Sequence, residues 1–162
     1  MEIVRAREQD LPEILEIYAF ARQFMRDTGN PNQWKKSHPS EQMLRDDIIR
    51  GNLYVCLNGG RIVGVFAFII GPDPTYDIID DGGWHSDAPY GTVHRLASGG
   101  QARGVGKACF DYCKAQVRNL RVDTHHDNLV MQKVIENNGF CRCGIIYQPD
   151  GSPRIAYDWQ DR

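Results

Sequence analysis

Between Leu96 and Ala108 the chain reads LASGGQARGVGKA, and these residue types at this spacing suit the capture of a diphosphate. Gly104 and Gly106 can follow backbone paths closed to side chains and let a ligand approach the main chain. A helical apolar pattern follows at Val105, Ala108, Cys109, Tyr112, Cys113 and Val117. The first N–H groups of a helix have no partner inside it, and together with the helix dipole they attract anions. The expected cradle, mostly backbone, runs through Gln101, Ala102, Arg103, Gly104, Val105, Gly106 and Lys107, with Arg103 and Lys107 as flanking charges.

Two other phosphate motifs fail here. A P-loop read back from Gly106-Lys107 would need glycine at Gln101 and a hydroxyl residue at Ala108. The dinucleotide fingerprint would need a third glycine where Cys109 stands. Nucleoside-triphosphate and dinucleotide chemistry are therefore disfavoured. Gln101-Ala102-Arg103-Gly104-Val105-Gly106 instead resembles the Gln/Arg-x-x-Gly-x-Gly/Ala signature of the GCN5-related N-acetyltransferases. That family places the loop between its fourth strand and third helix, then adds a strand, an Asn-led helix ending in Gly-Phe, and a hairpin. The same order is expected here at Leu120–Thr124, Asn128–Asn138 and Gly139-Phe140, and the resemblance spans Ile3 to Trp159.

The resemblance implies acetyl-CoA as co-substrate and a primary amine, on a small molecule or peptide, as acceptor. An alkyl amine of pKa near 10.4 is roughly 0.04% neutral at pH 7, a deficit of about 4.6 kcal/mol, so a base or desolvation must offset it. His94, on the expected strand before the cradle, is the candidate base, where the family commonly has Glu; hydrogen bonding across a sheet is its structural alternative. His125, following the next strand with Asp123 and His126, is a second catalytic candidate that could relay protons, although polar residues at a strand end also serve as caps. A backbone N–H of Leu96 or Ala97 would hold the oxyanion. Asn128 matches the family residue that contacts the CoA arm, and it can cap a helix as well. The family's thiolate-protonating Tyr falls here on Ile135. Either Tyr147 or Tyr157 replaces it, or the thiolate leaves unaided. Trp34, Tyr76, Trp84 and the loop 71–89 are candidates for the acceptor walls. A CoA-binding module without catalysis is the competing function.

Composition sets the frame. A chain of 162 residues with net charge −2 suits one domain, residues 1–162, and lacks a nucleic-acid footprint. Asp77, Asp80, Asp81 and Asp87 form an acidic patch that is solvated loop surface or an attractor for a cationic amine. Five cysteines, without Cys-x2-Cys spacing, read as free thiols in a reducing, cytoplasmic setting, with no metal site. No apolar stretch is long enough for a membrane span. A homodimer is compatible with the chain.

The elements that must hold these residues are legible as patterns. A strand is expected at Ile3–Ala6, and a helix capped by Asp10 with a stripe of Leu11, Ile14, Leu15, Tyr18 and Ala21. Gly29–Trp34 breaks it. Ser40 starts a second helix ending at Gly51. Leu53–Leu57 and Arg61–Ile70 form a hairpin over Asn58-Gly59-Gly60. Thr92–Ala97 is the strand before the cradle. Phe140–Tyr147 and Arg154–Trp159 flank the turn 148–152, and Cys141 and Cys143, two apart, are expected on one face. The fold class is α/β (α+β): a central mixed, mostly antiparallel sheet with helices on both faces.

Overall fold

The hairpin signal Gly59-Gly60 joins two neighbouring strands, one of them the longest, and a seven-stranded sheet extends on either side of them. The computed structural model describes residues 1–35 and 37–162. The strands are β1 (Glu2–Arg5), β2 (Leu53–Asn58), β3 (Arg61–Ile70), β4 (Gly91–Ser98), β5 (Asn119–Thr124), β6 (Cys141–Tyr147) and β7 (Pro153–Gln160), and the helices are α1 (Leu11–Asp27), α2 (Glu41–Ile49), α3 (Val105–Lys114) and α4 (Leu129–Asn137). Sheet order is β1-β2-β3-β4-β5-β7-β6. Only β4 and β5 are parallel; the other neighbours are antiparallel.

Alternation along the strands sends apolar side chains to both faces, as a sheet covered on both sides requires. Phe66, Phe68, Val93, Leu120, Val122 and Tyr157 pack with Cys109, Phe110 and Cys113 of α3 and Ile135 of α4. Opposite them, Leu53, Val55, Val65, Ala67 and Ala97 pack with Ile14 and Tyr18 of α1 and Leu44 of α2. A smaller cluster of Tyr76, Cys143, Ile146 and Ala156 lies under the loop between β3 and β4. That loop contains a 3-10 turn at Pro74–Tyr76, pairs Asp80 with Ile145 of β6, and is tied down by His85, whose backbone N–H and ring both bond Asp158 of β7 at 2.8 Å.

Three local expectations are corrected. Asp10 does not cap α1 with its side chain; its carboxylate instead accepts from the backbone N–H of Arg7 at 2.8 Å, closing a 3-10 turn at Glu8–Asp10. Cys141 and Cys143 do not share a face. The register shifts between Arg142 and Gly144, and this bulge leaves Cys141 exposed and Cys143 buried. The first strand ends at Arg5, although Ala6 still donates to Leu53. Ser40 caps α2 as expected, accepting from Met43 N–H at 3.1 Å.

Candidate active site

Two interruptions in the sheet create the site. Parallel β4 and β5 are in register only at Gly91↔Leu120 and Thr92↔Arg121; beyond that they part. On its other side β4 loses register with β3, where Val65 faces Ala97 but Ala67 faces His94. Two residues, Arg95 and Leu96, thus oppose one, and a bulge takes backbone out of the ladder. Arg95 carries φ of 55°, unusual for a non-glycine residue. It is held there by Tyr18, whose hydroxyl donates to the Arg95 carbonyl at 2.7 Å, and by Asp47 of α2, which accepts from the Arg95 guanidinium at 2.8 and 3.1 Å.

A cleft of about 700 Å³ opens where the strands part, within the range of small-molecule sites. Its walls include Val93, His94 and Leu96 of β4, Val122 and Asp123 of β5, and His125 and Asn128 beyond it. The segment after α1 supplies Gln33, Trp34 and His38, the β6–β7 turn supplies Asp150 and Ser152, and β7 supplies Arg154. Trp34 packs edge-on against Tyr18, ring centroids 5.6 Å apart.

His94 Nε2 lies 2.8 Å from Asp73 Oδ2, a residue of the β3–β4 loop that sequence reasoning missed. Asp73 also accepts from the Thr75 N–H and hydroxyl at 3.0 and 2.8 Å. Burial alone would raise its carboxyl; the bonds from His94 and Thr75 outweigh that and hold it at about 2. An ionised Asp73 fixes the tautomer with hydrogen on Nε2, leaving Nδ1 as the basic nitrogen. Behind this pair, the buried Tyr76 hydroxyl donates to Asp123 Oδ2 at 2.6 Å. Burial and then Asp123 raise the Tyr76 phenol well above its ordinary range.

His125 is oriented differently. Its Nδ1 accepts from the Asp127 N–H at 3.0 Å, so Nε2 carries the hydrogen. Burial, then the charges of Arg154 and His126, lower its pKa, and the ring offers a donor rather than a base. His126 is exposed and stacks on it, centroids 4.2 Å apart. Asn128 caps α4, accepting from Met131 N–H at 3.0 Å, and donates to Gln33 Oε1 at 2.8 Å. Burial, then Arg95, Arg154 and Arg22, push His38 down to about 4.

The cradle lies outside this cleft lining, next to the β4 end. Among the described residues no backbone N–H from Gln101 to Lys107 donates to a protein acceptor; the first bond of α3 is Ala108 to Gly104 at 2.9 Å. No side chain caps α3, and Gly104 sits at its N-terminus with φ of 83°. Gly106 has another reason to be glycine: a Cβ there would lie 2.6 Å from Val134 Cγ1 of α4. Val105 is buried in the core, Ala102 packs against it, and Lys107 pairs with Asp111. Of the expected CoA residues, Leu96 and Asn128 line the cleft, and Ala97 is buried in the core that packs with α1 and α2.

Tyr147 is a correction. Its exposed side chain donates to Asp80 at 2.8 Å and is not part of the cleft, so it is not positioned to protonate a thiolate there. Tyr157 is buried in the core under α3 and α4. Trp84 is also elsewhere: it and Tyr90 stack on the Arg121 guanidinium at 4.0 and 3.9 Å. Asp73, Gln33 and Arg154 are the site residues that sequence reasoning missed. The run Asp73-Pro74-Thr75, which favours a side-chain-capped turn, was the one available signal.

Solved structures similar to this chain include a GNAT-family acetyltransferase from Streptococcus agalactiae, 30% identical over 99% of this chain and 95% of that one, with a TM-score of 0.89. A second is described as a putative acetyltransferase from Staphylococcus aureus, 22% identical over 99% of both chains, TM-score 0.73. A GNAT-like decarboxylase, GphF, in complex with isobutyryl-CoA is 15% identical over the whole of both chains, TM-score 0.70, and shows the fold alone. No protein-family model matches the chain, and no curated protein matches it. Among the described residues no helix is long and apolar enough to cross a membrane.

Proposed function

The chain belongs to the GNAT acetyltransferase family, and from that premise we propose that it transfers an acetyl group from acetyl-CoA to a primary amine by direct attack. The observation that carries the proposal is the run of unpaired N–H groups from Gln101 to Lys107 beside the parted strands. A diphosphate seated there directs the rest of its carrier toward the β4–β5 opening. Arg103 adds charge at the rim. The donors fit an anion because no protein group already occupies them. That a structural neighbour of low identity binds an acyl-CoA is consistent with this choice of donor.

His94 Nδ1 takes the proton of the incoming ammonium, with Asp73 stabilising the imidazolium that results. The neutral amine then forms a C–N bond to the thioester carbon. A backbone N–H at the β4 bulge, that of Leu96, or that of Ala97 just beyond it, meets the oxyanion as charge develops. The intermediate collapses with cleavage of the C–S bond, and the second amine proton passes to the departing thiolate or to solvent, leaving the neutral amide and free CoA thiol. A CoA thiol resembles an ordinary thiol of pKa near 8.5, so its thiolate leaves without an acid, and His125 Nε2–H is a donor available in the same cleft. Asn128 and Gln33 hold the wall along which the CoA arm would lie.

Free-thiol release from acetyl-CoA across a panel of primary amines tests the proposal, with CoA binding measured separately by calorimetry. Amine-dependent thiol release is the expected result. Tight CoA binding with no amine-dependent release across a broad panel would instead establish a non-catalytic CoA-binding module.

A further inference from the structure

Arg154 is the most unusual charge in the cleft. It lies on β7 just after the β6–β7 turn, is 8% exposed, and forms part of the cleft wall. The partly buried Arg95 is paired with Asp47, and the buried Arg121 lies between the Trp84 and Tyr90 rings and donates to the Ser86 carbonyl. Among the described residues Arg154 has only neutral hydrogen-bond acceptors. Its Nη1 donates to Ser152 Oγ at 3.3 Å and to the Pro153 carbonyl at 2.9 Å, and Nη2 donates to the Gln33 carbonyl at 3.4 Å. A guanidinium has five N–H donors. Nε and one Nη2 hydrogen are therefore without a protein acceptor among the described residues. Nε is not among the sealed, unpaired polar atoms of the described residues, which are Asn30 Oδ1, Thr92 Oγ1 and Arg121 Nε. Arg154 lines the cleft, and its Nε is accessible there without a protein partner.

A buried guanidinium with no carboxylate in hydrogen-bond contact is costly unless something completes it. Two free N–H groups on one planar fork match a carboxylate held side-on. The surroundings choose among anions. Asp123 and Asp150 stand close enough to act on Arg154 electrostatically, and they would repel a phosphate dianion more than a singly charged carboxylate. The same two acids and the His94–Asp73 pair suit an ammonium group. The cleft thus offers a site for each end of a zwitterion.

We propose that Arg154 binds a carboxylate of the acceptor, so that the amines this protein acetylates are small carboxylate-bearing amines such as amino acids. The inference rests on the acetyl-transfer reading above for the amine, but the anion site stands on the geometry of Arg154. It also assigns a specificity role to a residue that takes no part in proton transfer.

Two measurements test it. The first compares kcat/KM, by thiol release, for amino acids and the amines that lack their carboxylate, with phosphoethanolamine against ethanolamine as the phosphate arm. The carboxylate-bearing member of each amino-acid pair is expected to be favoured about 10- to 100-fold. Arg154→Gln should erase that preference mainly through KM, Arg154→Lys should restore part of it, and CoA affinity should stay unchanged. Equal turnover with and without the carboxylate, a matching loss in Arg154→Gln for both members, or a preference confined to the phosphate arm would overturn the proposal. The second measurement is independent of turnover. The Arg154 Nε–H resonance is followed by NMR during titration of the wild-type protein with N-acetylglycine, a carboxylate without a reactive amine. A saturating shift is expected, and an unmoved resonance at millimolar probe refutes the anion site even if every amine is inert. Thiol release with no such shift leaves acetyl transfer standing and removes the carboxylate.

Discussion

Replacing Asp73 by Asn isolates the link between the β3–β4 loop and His94, the proposed catalytic base. The Asp73 Oδ2 to His94 Nε2 distance is 2.8 Å, with both side chains about one-fifth exposed. A hydrogen bond to a charged group in such a setting is worth about 1.5–3 kcal/mol. If that energy is realised when the imidazolium forms, its loss lowers kcat/KM about 10- to 150-fold. The substitution is mild elsewhere. Asn keeps an Oδ1 to accept from Thr75, so the 3-10 turn at Pro74–Tyr76 survives. Tyr90 bonds the backbone N–H of residue 73 and is unaffected. Thiol release at pH 7 gives the rate, and a thermal melt and CoA titration verify that fold and donor binding are intact. An Asp73→Asn variant that melts like the parent, binds CoA alike and keeps kcat/KM within about two-fold would show that Asp73 does not position the base.

Further expectations follow from other parts of the site. His94→Ala should reduce kcat/KM about 100-fold or more at pH 7 and much less at pH 10, where an alkyl amine is largely neutral without help; an equal loss at both pH values would assign His94 a structural role. Gly104→Val should weaken acetyl-CoA binding at least 10-fold by calorimetry, because φ of 83° is strained for a β-branched residue even though space is open there, whereas Gly104→Asn should lose less. Gly106→Ala should lower thermal stability by about 1–3 kcal/mol through its contact with Val134, with Val134→Ala recovering part of it. Stability should also fall with acid in two windows. His38 drops from 6.5 to about 4 on folding, so the unfolded chain binds the extra proton and stability declines as pH falls across that interval. Asp73 drops from 3.8 to about 2, and its contribution, present above 3.8, is lost as pH falls toward 2. His38→Gln should flatten the first decline in a pH series of melts.

Local rules carried much of the fold and less of the site. Gly59-Gly60 between two apolar strands, Ser40 ahead of α2 and Asn128 ahead of α4 each act through neighbours in sequence, and each forms as its residue type requires. The glycine start of α3 was legible for the same reason: Gly104 at a helix N-terminus is a local device. The cleft is assembled by longer-range events. Asp73 meets His94 because a long loop folds back over the sheet, which periodicity does not encode. Arg154 and Gln33 meet across the chain because β7 inserts between β5 and β6. The bulges at Arg95–Leu96 and Cys143 break the two-residue alternation on which face assignments depend. Tyr147 looked chemically suitable by type, yet a neighbouring loop carboxylate, Asp80, takes up its hydroxyl.

The most direct test of the central claim is a crystal structure with CoA bound. The expected density places the diphosphate within hydrogen-bond reach of the backbone N–H groups between Gln101 and Lys107. The thiol should lie in the opening between β4 and β5, near His94. A diphosphate seated away from those donors, with the β4–β5 opening empty, would contradict it.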